Sequence, residues 1–297
     1  RWMNSGDIRS FRRGCSEMKF WKYHGIGNDF IVLDCITDPV PVDPAWCEQV
    51  CDRHFGIGAD GVLYILPGQG TDITMRIINA DSSEAELCGN GIRCVAKHAV
   101  DTGLVDKDEF TIMTGRGVLK AKVRKDPDDE YTSFVQIDMG APILDARSVP
   151  VDFDGRFIDQ PFEADGVKFH ANAVSMGNPH FITFDDIGEE NVRRLGPVLE
   201  KHPFFPKKTN VEFAQVKDGK IHITVYERGA AWTLACGTGA CATTVAAALN
   251  GLVPFDTPVD VRLPGGWLKI TADSKLGYVL MEGPAELVYT GDIDYLR

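Results

Sequence analysis

Two near-identical tetrapeptides, Cys88-Gly89-Asn90-Gly91 and Cys236-Gly237-Thr238-Gly239, stand 148 positions apart in a chain of 297 residues. A motif that returns at half the chain length predicts two similar domains facing each other, each bringing one cysteine to the space between them. Each tetrapeptide runs into a small-residue, apolar segment, residues 92–100 and 240–250, the second stopped by Gly251. A helix apolar almost all round is buried on every side. Both segments are therefore expected to be the central helix of a domain, wrapped by the strands around it.

The strands are expected from period-two alternation, as in Ile73-Thr74-Met75-Arg76-Ile77 and Ile221-His222-Ile223-Thr224-Val225, with short Gly, Pro and Asp breaks between them. A further helix should begin at Asp43-Pro44, an N-cap followed by proline in the first turn, and run to about His54. Cys47 and Cys51, four apart on it, read as buried small apolar residues. The strand around residues 135–139 looks like the crossover between halves, with the boundary near residue 134. The domains are thus expected at 18–134 and 135–284, with the C-terminal strand 285–297 returning to the first. Residues 1–17 show no period and are expected to be an extension outside the fold.

Composition narrows the partners. A chain 44% hydrophobic and 25% charged is globular, and its net charge of −12 argues against a nucleic-acid partner, which calls for a basic surface. There is no run of 18 apolar residues and no apolar stretch flanked like a signal peptide, so neither a membrane nor export is expected and the reading is cytoplasmic. In that setting the eight cysteines read as reduced thiols. The spacings of Cys47 with Cys51 and of Cys88 with Cys94 are not those of a usual zinc site, and no metal is expected.

Each repeated cysteine sits where a helix begins, and helix N-termini carry unpaired N–H groups and the positive end of the dipole. Such an end binds a carboxylate, and is expected to lower the thiol pKa. One carboxylate shared by two helix ends would fix an α-carbon between a thiolate and a thiol on opposite faces, the arrangement that inverts a stereocentre by proton exchange. A phosphate-binding loop is excluded because neither turn ends in Gly-Lys-Ser/Thr. Gly25-Ile26-Gly27 leads into the strand residues Phe30, Ile31, Val32 and Leu33, so a dinucleotide fingerprint fails too. A hydrolase using Cys236, His180 and an asparagine stays open, but leaves the first tetrapeptide idle.

The blocks from Tyr23 to Phe30, Arg53 to Gly61, Asn79 to Cys94, Gly177 to His180, Thr209 to Phe213 and Glu227 to Cys241 together resemble the diaminopimelate epimerase family, over a span from about Lys19 to the C-terminus. The resemblance implies an α/β (α+β) fold of two pseudo-symmetric domains, each a mostly antiparallel sheet around a central helix, with the active site in the cleft. It implies cofactor-independent, pyridoxal-independent interconversion of LL- and meso-diaminopimelate in lysine and cell-wall synthesis, by a homodimer. Cys88 and Cys236 would be the acid/base thiols. Gly89, Asn90, Gly237 and Thr238 would hold the reacting carboxylate, and Asn28, Asn79, Asn178, Asn210, Glu227 and Arg228 would surround the rest of the substrate. His180 and Glu227 would tune the thiols, and Tyr289 would lie at the dimer contact.

By themselves these residues have plainer readings. Asn178 before Pro179, and Asn210, are turn formers by type; Glu227-Arg228 could be a surface ion pair of small consequence. A proline or hydroxyproline epimerase would use the same thiols with a smaller pocket. A redox-sensing or binding module would use them as a disulfide. Three positions depart from the family pattern: Ala231-Trp232 where glycine and a variable residue are frequent, Gly61 where some members carry glutamine, and Ser82 where glycine is common.

Overall fold

The computed structural model describes residues 16–295, and its first half closes on itself. Strand β1 (Ser16–Gly25) pairs antiparallel with β2 (Asn28–Asp34), which runs parallel to β3 (Gly61–Pro67) after a crossover through helix α1 (Pro44–Cys51). A hairpin leads to β4 (Ile73–Asn79), which carries the two-residue β5 (Glu84–Ala85) and runs parallel to β6 (Glu109–Thr114) after a second crossover through α2 (Gly89–Asp101). Strands β7 (Gly117–Lys125) and β8 (Thr132–Asp138) continue antiparallel, and β17 (Val279–Tyr295) joins β8 back to β1. A ring without a free edge results, which removes the unpaired backbone that edge strands expose.

The same order of connections returns in the second half. Strand β9 (Gln160–Ala164) flanks β10 (Val167–Ser175), which pairs with β11 (Pro179–Thr183); β11 runs parallel to β12 (Asn210–Lys217) through α3 (Glu189–Glu200). Strand β13 (Lys220–Glu227) carries β14 (Ala231–Trp232) and runs parallel to β15 (Val259–Leu263) through α4 (Gly237–Leu249), followed by β16 (Gly266–Ala272) and β17. Helices α2 and α4 match in length and begin 148 positions apart, so the repeat seen in two tetrapeptides extends to the whole topology.

Each central helix is packed by its own strands: α2 touches β1, β2, β3, β4, β7, β8 and β17, and α4 touches β10 to β13 and β15 to β17. Every residue of α2 from Gly89 to Ala99 is buried, and all of α4 from Gly237 to Ala248 except Thr238. Small side chains make that possible in α4, which is built mostly of glycine, alanine, threonine and cysteine. The outer helices cover the opposite sheet faces. Trp46, Cys47, Val50 and Cys51 of α1 pack on Ile31, Leu33, Val62, Tyr64 and Ile78, while Leu195 and Leu199 of α3 pack in a phenylalanine-rich cluster with Phe181, Phe205 and Phe213.

Some boundaries differ from the sequence reading. Asp43 does cap α1, accepting from Ala45 N and Trp46 N, but the helix ends at Cys51 because the Asp52 carboxylate takes the N–H groups of His54 and Phe55 into a turn. Residue 134 lies inside β8, which runs unbroken to Asp138 because its residues pair with both β7 and β17. Strand β17 is shared: residues 279–282 pair with β16, 280–286 with β8 and 286–295 with β1. Of the extension expected over residues 1–17, residues 1–15 lie outside the described residues, while Ser16 and Glu17 pair in β1. Among the described residues no helix is long and apolar enough to cross a membrane.

Candidate active site

Cys88 and Cys236 are the N-caps of α2 and α4. Both have extended backbones, with φ −131° and −123°, and each Sγ accepts the N–H three residues on, from Gly91 at 3.4 Å and Gly239 at 3.3 Å. The two helix ends point at one another and meet glycine to glycine. A methyl group on Gly237 would lie 3.4 Å from Gly89 Cα and 2.9 Å from Met281 Sδ, so a side chain there would need the Met281 side chain to shift. First-turn N–H groups have no partner within a helix. The first residues of both helices, Gly89, Asn90, Gly237 and Thr238, line one cleft of about 790 Å³ together with both cysteines.

Most of the residues singled out in the sequence come to this cleft. Asn28, Asn79, Gly89, Asn90, Asn178, Glu227, Arg228, Gly237 and Thr238 all line it. Asn28 Oδ1 accepts from Cys88 Sγ at 3.4 Å and from Asn90 Nδ2 at 3.1 Å. The Asn90 amide also donates to Ala235 O at 3.2 Å, tying the halves together beside Cys236, so its backbone rather than its side chain is free for a ligand. Asn79 donates to Ser83 Oγ. Asn178 donates to Thr238 Oγ1 at 3.1 Å, and Thr238 Oγ1 lies 3.6 Å from Cys236 Sγ.

Three residues stand elsewhere. Asn210 is buried beneath the site, donating to Pro179 O and accepting from Arg228 N, so it sets the backbone from which Arg228 enters the cleft. His180 is fully buried behind Cys236, its Nε2 on Asn178 Oδ1 at 3.1 Å and its Nδ1 on Glu212 Oε1 at 2.6 Å. Tyr289 lies away from the cleft on β17, 44% exposed, with its ring edge-on to Phe20.

The thiols are pushed the opposite way from the sequence expectation. Burial raises the Cys88 pKa, outweighing the Gly91 and Asn90 N–H groups that lower it. Burial raises that of Cys236 further, reinforced by the carboxylates of Glu227 and Glu212 and opposed by Thr238 and Gly239. The Glu227 carboxyl is itself raised by burial, although Thr233 Oγ1 donates to it. Helix ends favour a thiolate, but loss of hydration in the closed space is the larger effect.

Some contributors were not singled out in the sequence. Glu212 is wholly buried on β12 between Val211 and Phe213, and its signal was an acid inside an apolar strand, a placement that buried carboxylates take only when paired. Asp60 accepts from Asn28 Nδ2 at 2.6 Å and from Arg53, whose guanidinium also grips Asp29. Buried donors His180, Glu212 and Cys236 cluster within 4.8 Å. A tetrahedral metal would hold two N and O ligands about 3.3 Å apart; the 2.6 Å separation of His180 and Glu212 is that of a hydrogen bond.

The departures also find their places. Trp232 lines the cleft and stacks edge-on with Tyr226, over Gly196 of α3, where a methyl group would lie 2.9 Å from the indole. A side chain on Gly61 would meet Ile78 O at 2.8 Å. Ser82 occupies the left-handed region at φ 67°, held by bonds from its hydroxyl to Pro44 O and Glu48. The seven described cysteines are all free thiols.

Two solved structures share this architecture. A hydroxyproline epimerase from Agrobacterium vitis superposes with a TM-score of 0.65 at 16% identity, over 94% of this chain and 92% of that one. A phenazine biosynthesis protein of the PhzF family from Bacillus anthracis gives 0.66 at 15% identity, over 94% and 99%. The fold is thus that of the two-domain class that includes these epimerase and PhzF proteins. Within that class, the family model described as diaminopimelate epimerase matches residues 20–144 and 172–288. Relatives named diaminopimelate epimerase from Nostoc sp. and Synechocystis sp. are 46% and 45% identical, each over 93% of this chain and 99% of their own length. The chain belongs to the diaminopimelate epimerase family.

Proposed function

We propose that this protein is an isomerase that interconverts LL- and meso-diaminopimelate without a cofactor, using Cys88 and Cys236 as opposed base and acid. The observation that carries the reading is the meeting of two cysteine-capped helix ends at Gly89 and Gly237. A carboxylate seated on their converging N–H groups presents its α-carbon between the two sulfurs.

In one direction a thiolate takes the α-proton. The C–H electron pair moves into the adjacent carboxylate as an enediolate, and the opposing thiol delivers its proton to the other face. The enzyme is left with its thiolate on the opposite side. Aligned N–H donors and helix dipoles stabilise the developing charge, and one such preorganised donor is worth about 10²–10³ in rate. The distal end of the substrate carries a carboxylate and an ammonium: Arg228 suits the first, and Glu227 and the amide oxygen of Asn79 the second. Asn28 and Asn178, whose amide oxygens are already bonded to Cys88, Asn90 and His180, line the same cleft. His180 and Glu227 act on the protonation of Cys236.

The protein is read as cytoplasmic, where amino-acid precursors of lysine and the cell wall are made, and as a homodimer joined through the face that carries Tyr289. Sedimentation of the wild type beside Tyr289→Ala tests the dimer, which is overturned by a monomeric wild type.

The function is tested by deuterium wash-in with LL-diaminopimelate, L-proline and 4-hydroxyproline. One deuterium at the α-carbon of diaminopimelate, with no exchange into the prolines, is the expected result. Exchange into proline alone would replace this reading with a proline-type epimerase. In the same assay Arg228→Met should impair diaminopimelate turnover severely.

A further inference from the structure

Arg93 is an arginine on the central helix α2, completely buried, with only neutral acceptors around it. Its Nε donates to Pro284 O at 3.2 Å, Nη1 to Gly89 O at 3.1 Å, and Nη2 to Asn90 Oδ1 at 2.9 Å; Met281 Sδ lies 3.7 Å from Nη1. Among the described residues no carboxylate lies within ion-pair distance of the guanidinium. The ionisable groups whose charges act on it are the thiols of Cys94, Cys88 and Cys241.

This placement is doubly unfavourable for the empty protein. A buried charge without a counter-ion gives up its hydration for neutral hydrogen bonds that compensate only in part, and a cation in the first turns of a helix opposes the dipole. The fold nevertheless makes room for it. A methyl group on Gly25 would lie 2.8 Å from Nη2, and one on Gly283 would lie 3.2 Å from Nε. The second helix has no counterpart, because the position 148 residues on is Cys241. The symmetric pair of thiols therefore rests on an asymmetric charge.

We propose that Arg93 is a positioning residue for the carboxylate subsite, supplying from beneath helix α2 a fixed positive charge whose counter-ion is the carboxylate of the bound amino acid. The inference rests on the epimerase reading above. Through Gly89 O and Asn90 Oδ1 the guanidinium fork also fixes the first turn. It holds the Asn90 amide in the orientation that reaches Asn28 and Ala235, and hence the register between the two cysteines. A lysine could supply the charge but not the fork.

The test compares wild type, Arg93→Met and Arg93→Lys by three readouts: melting temperature, kcat and KM for diaminopimelate, and the pH profile of Cys88 alkylation by iodoacetamide, located by mass spectrometry without substrate. The charges acting at Cys88 are Arg93 on its own helix and Glu227 on β13, and only the first is altered. Arg93→Met should raise KM at least tenfold and move the Cys88 inflection up by a pH unit or more. Arg93→Lys should keep the inflection near that of wild type while KM still rises. Wild-type KM and wild-type inflection in folded Arg93→Met would overturn the proposal, as would equal losses in both variants. If Arg93→Met does not fold, Arg93→Gln, which keeps hydrogen-bond donors without the charge, decides: a raised KM with an inflection moved up supports the assignment, and a wild-type KM with a wild-type inflection overturns it. Failure of both to fold would make the guanidinium a structural element only and overturn the proposal. A wild type inert toward diaminopimelate would sink the epimerase reading, while the alkylation profile would still report on Arg93.

Discussion

Gly89 and Gly237 face each other across the centre of the molecule, so close that a methyl group on the second would lie 3.4 Å from the Cα of the first. Met281, fully buried on the shared strand β17, seals the contact from below. Gly237→Ala should therefore press on Met281 Sδ and drive the helix ends apart. Turnover is expected to fall at least tenfold, since displacement of reacting groups by about 1 Å can cost ~10² in rate. Because one clash causes the loss, combining Gly237→Ala with Met281→Ala should be non-additive in a double-mutant cycle. Unaltered kcat in Gly237→Ala would show that the close approach is not needed.

Cys88→Ala and Cys236→Ala should each abolish epimerisation while the protein still folds, since replacing a partly or fully buried cysteine by alanine removes one atom and a typical point substitution costs about 1 kcal/mol. One variant can still exchange a proton on the single face that retains its thiol. Chirality analysis beside deuterium incorporation separates exchange from inversion. Full epimerase activity in either variant would exclude the two-base mechanism.

Burial pushes both active-site thiols up and so favours their protonated forms, whereas turnover needs one thiolate. The rate at low substrate should climb as pH rises through the alkaline range. Stability should run the other way. Cys35 and Cys47 are pushed by burial to about 11, and Cys51, Cys94 and Cys241 to about 12, against about 8.5 for an unfolded thiol. The folded state keeps protons that the unfolded state gives up. That stabilisation is complete below about pH 8.5 and is lost as pH climbs through 11 to 12. A melting temperature that holds steady from pH 8 to 11 would contradict this.

Asp29 carries the opposite sign. Burial alone would raise its pKa, but bonds from Arg53 and Lys22 outweigh it and bring the carboxyl down to about 2. Its contribution is present above the unfolded value near 4 and vanishes as pH falls towards 2. Asp29→Asn should lower the melting temperature at pH 7 by several degrees and flatten its decline between pH 4 and 2. An acid-unfolding profile parallel to that of the wild type would show that the network with Lys22 and Arg53 contributes nothing.

Glu212→Gln should lower activity about 10- to 100-fold. The substitution replaces a carboxylate that helps keep Cys236 protonated by a neutral amide, whose oxygen still accepts from His180 Nδ1 but without the charge that strengthens the bond. Alkylation of Cys236 should then begin at lower pH than in the wild type. An unshifted alkylation profile would mean that the charge of Glu212 does not reach the thiol.

Much of the centre of this protein was readable from short stretches of chain. An N-cap, its glycines and the following turn are contiguous, so a cysteine before Gly-x-Gly and an apolar segment announces a thiol at a helix end wherever the rest of the fold lies. The end of α1 was less readable, because the Asp52 side chain competes for N–H groups that the apolar spacing alone would assign to the helix. Asn210 shows another limit. The family resemblance implies a substrate contact there, yet both ends of its amide are taken by backbone groups beneath the cleft.

The sequence by itself determined the duplication, the two thiols at helix ends and the family to which the chain belongs. Tertiary structure alone decided that one strand, β17, serves both halves, that Glu212 and Asp60 stand behind the residues facing the cleft, and that Arg93 is buried without an acid. It also reversed the expected direction of the thiol shifts. The physical reason is common to all of these. Helix dipoles and caps act over a single turn of contiguous residues, whereas desolvation and charge pairing depend on which distant segments exclude water from a given atom, and that is settled only when the two halves close on each other.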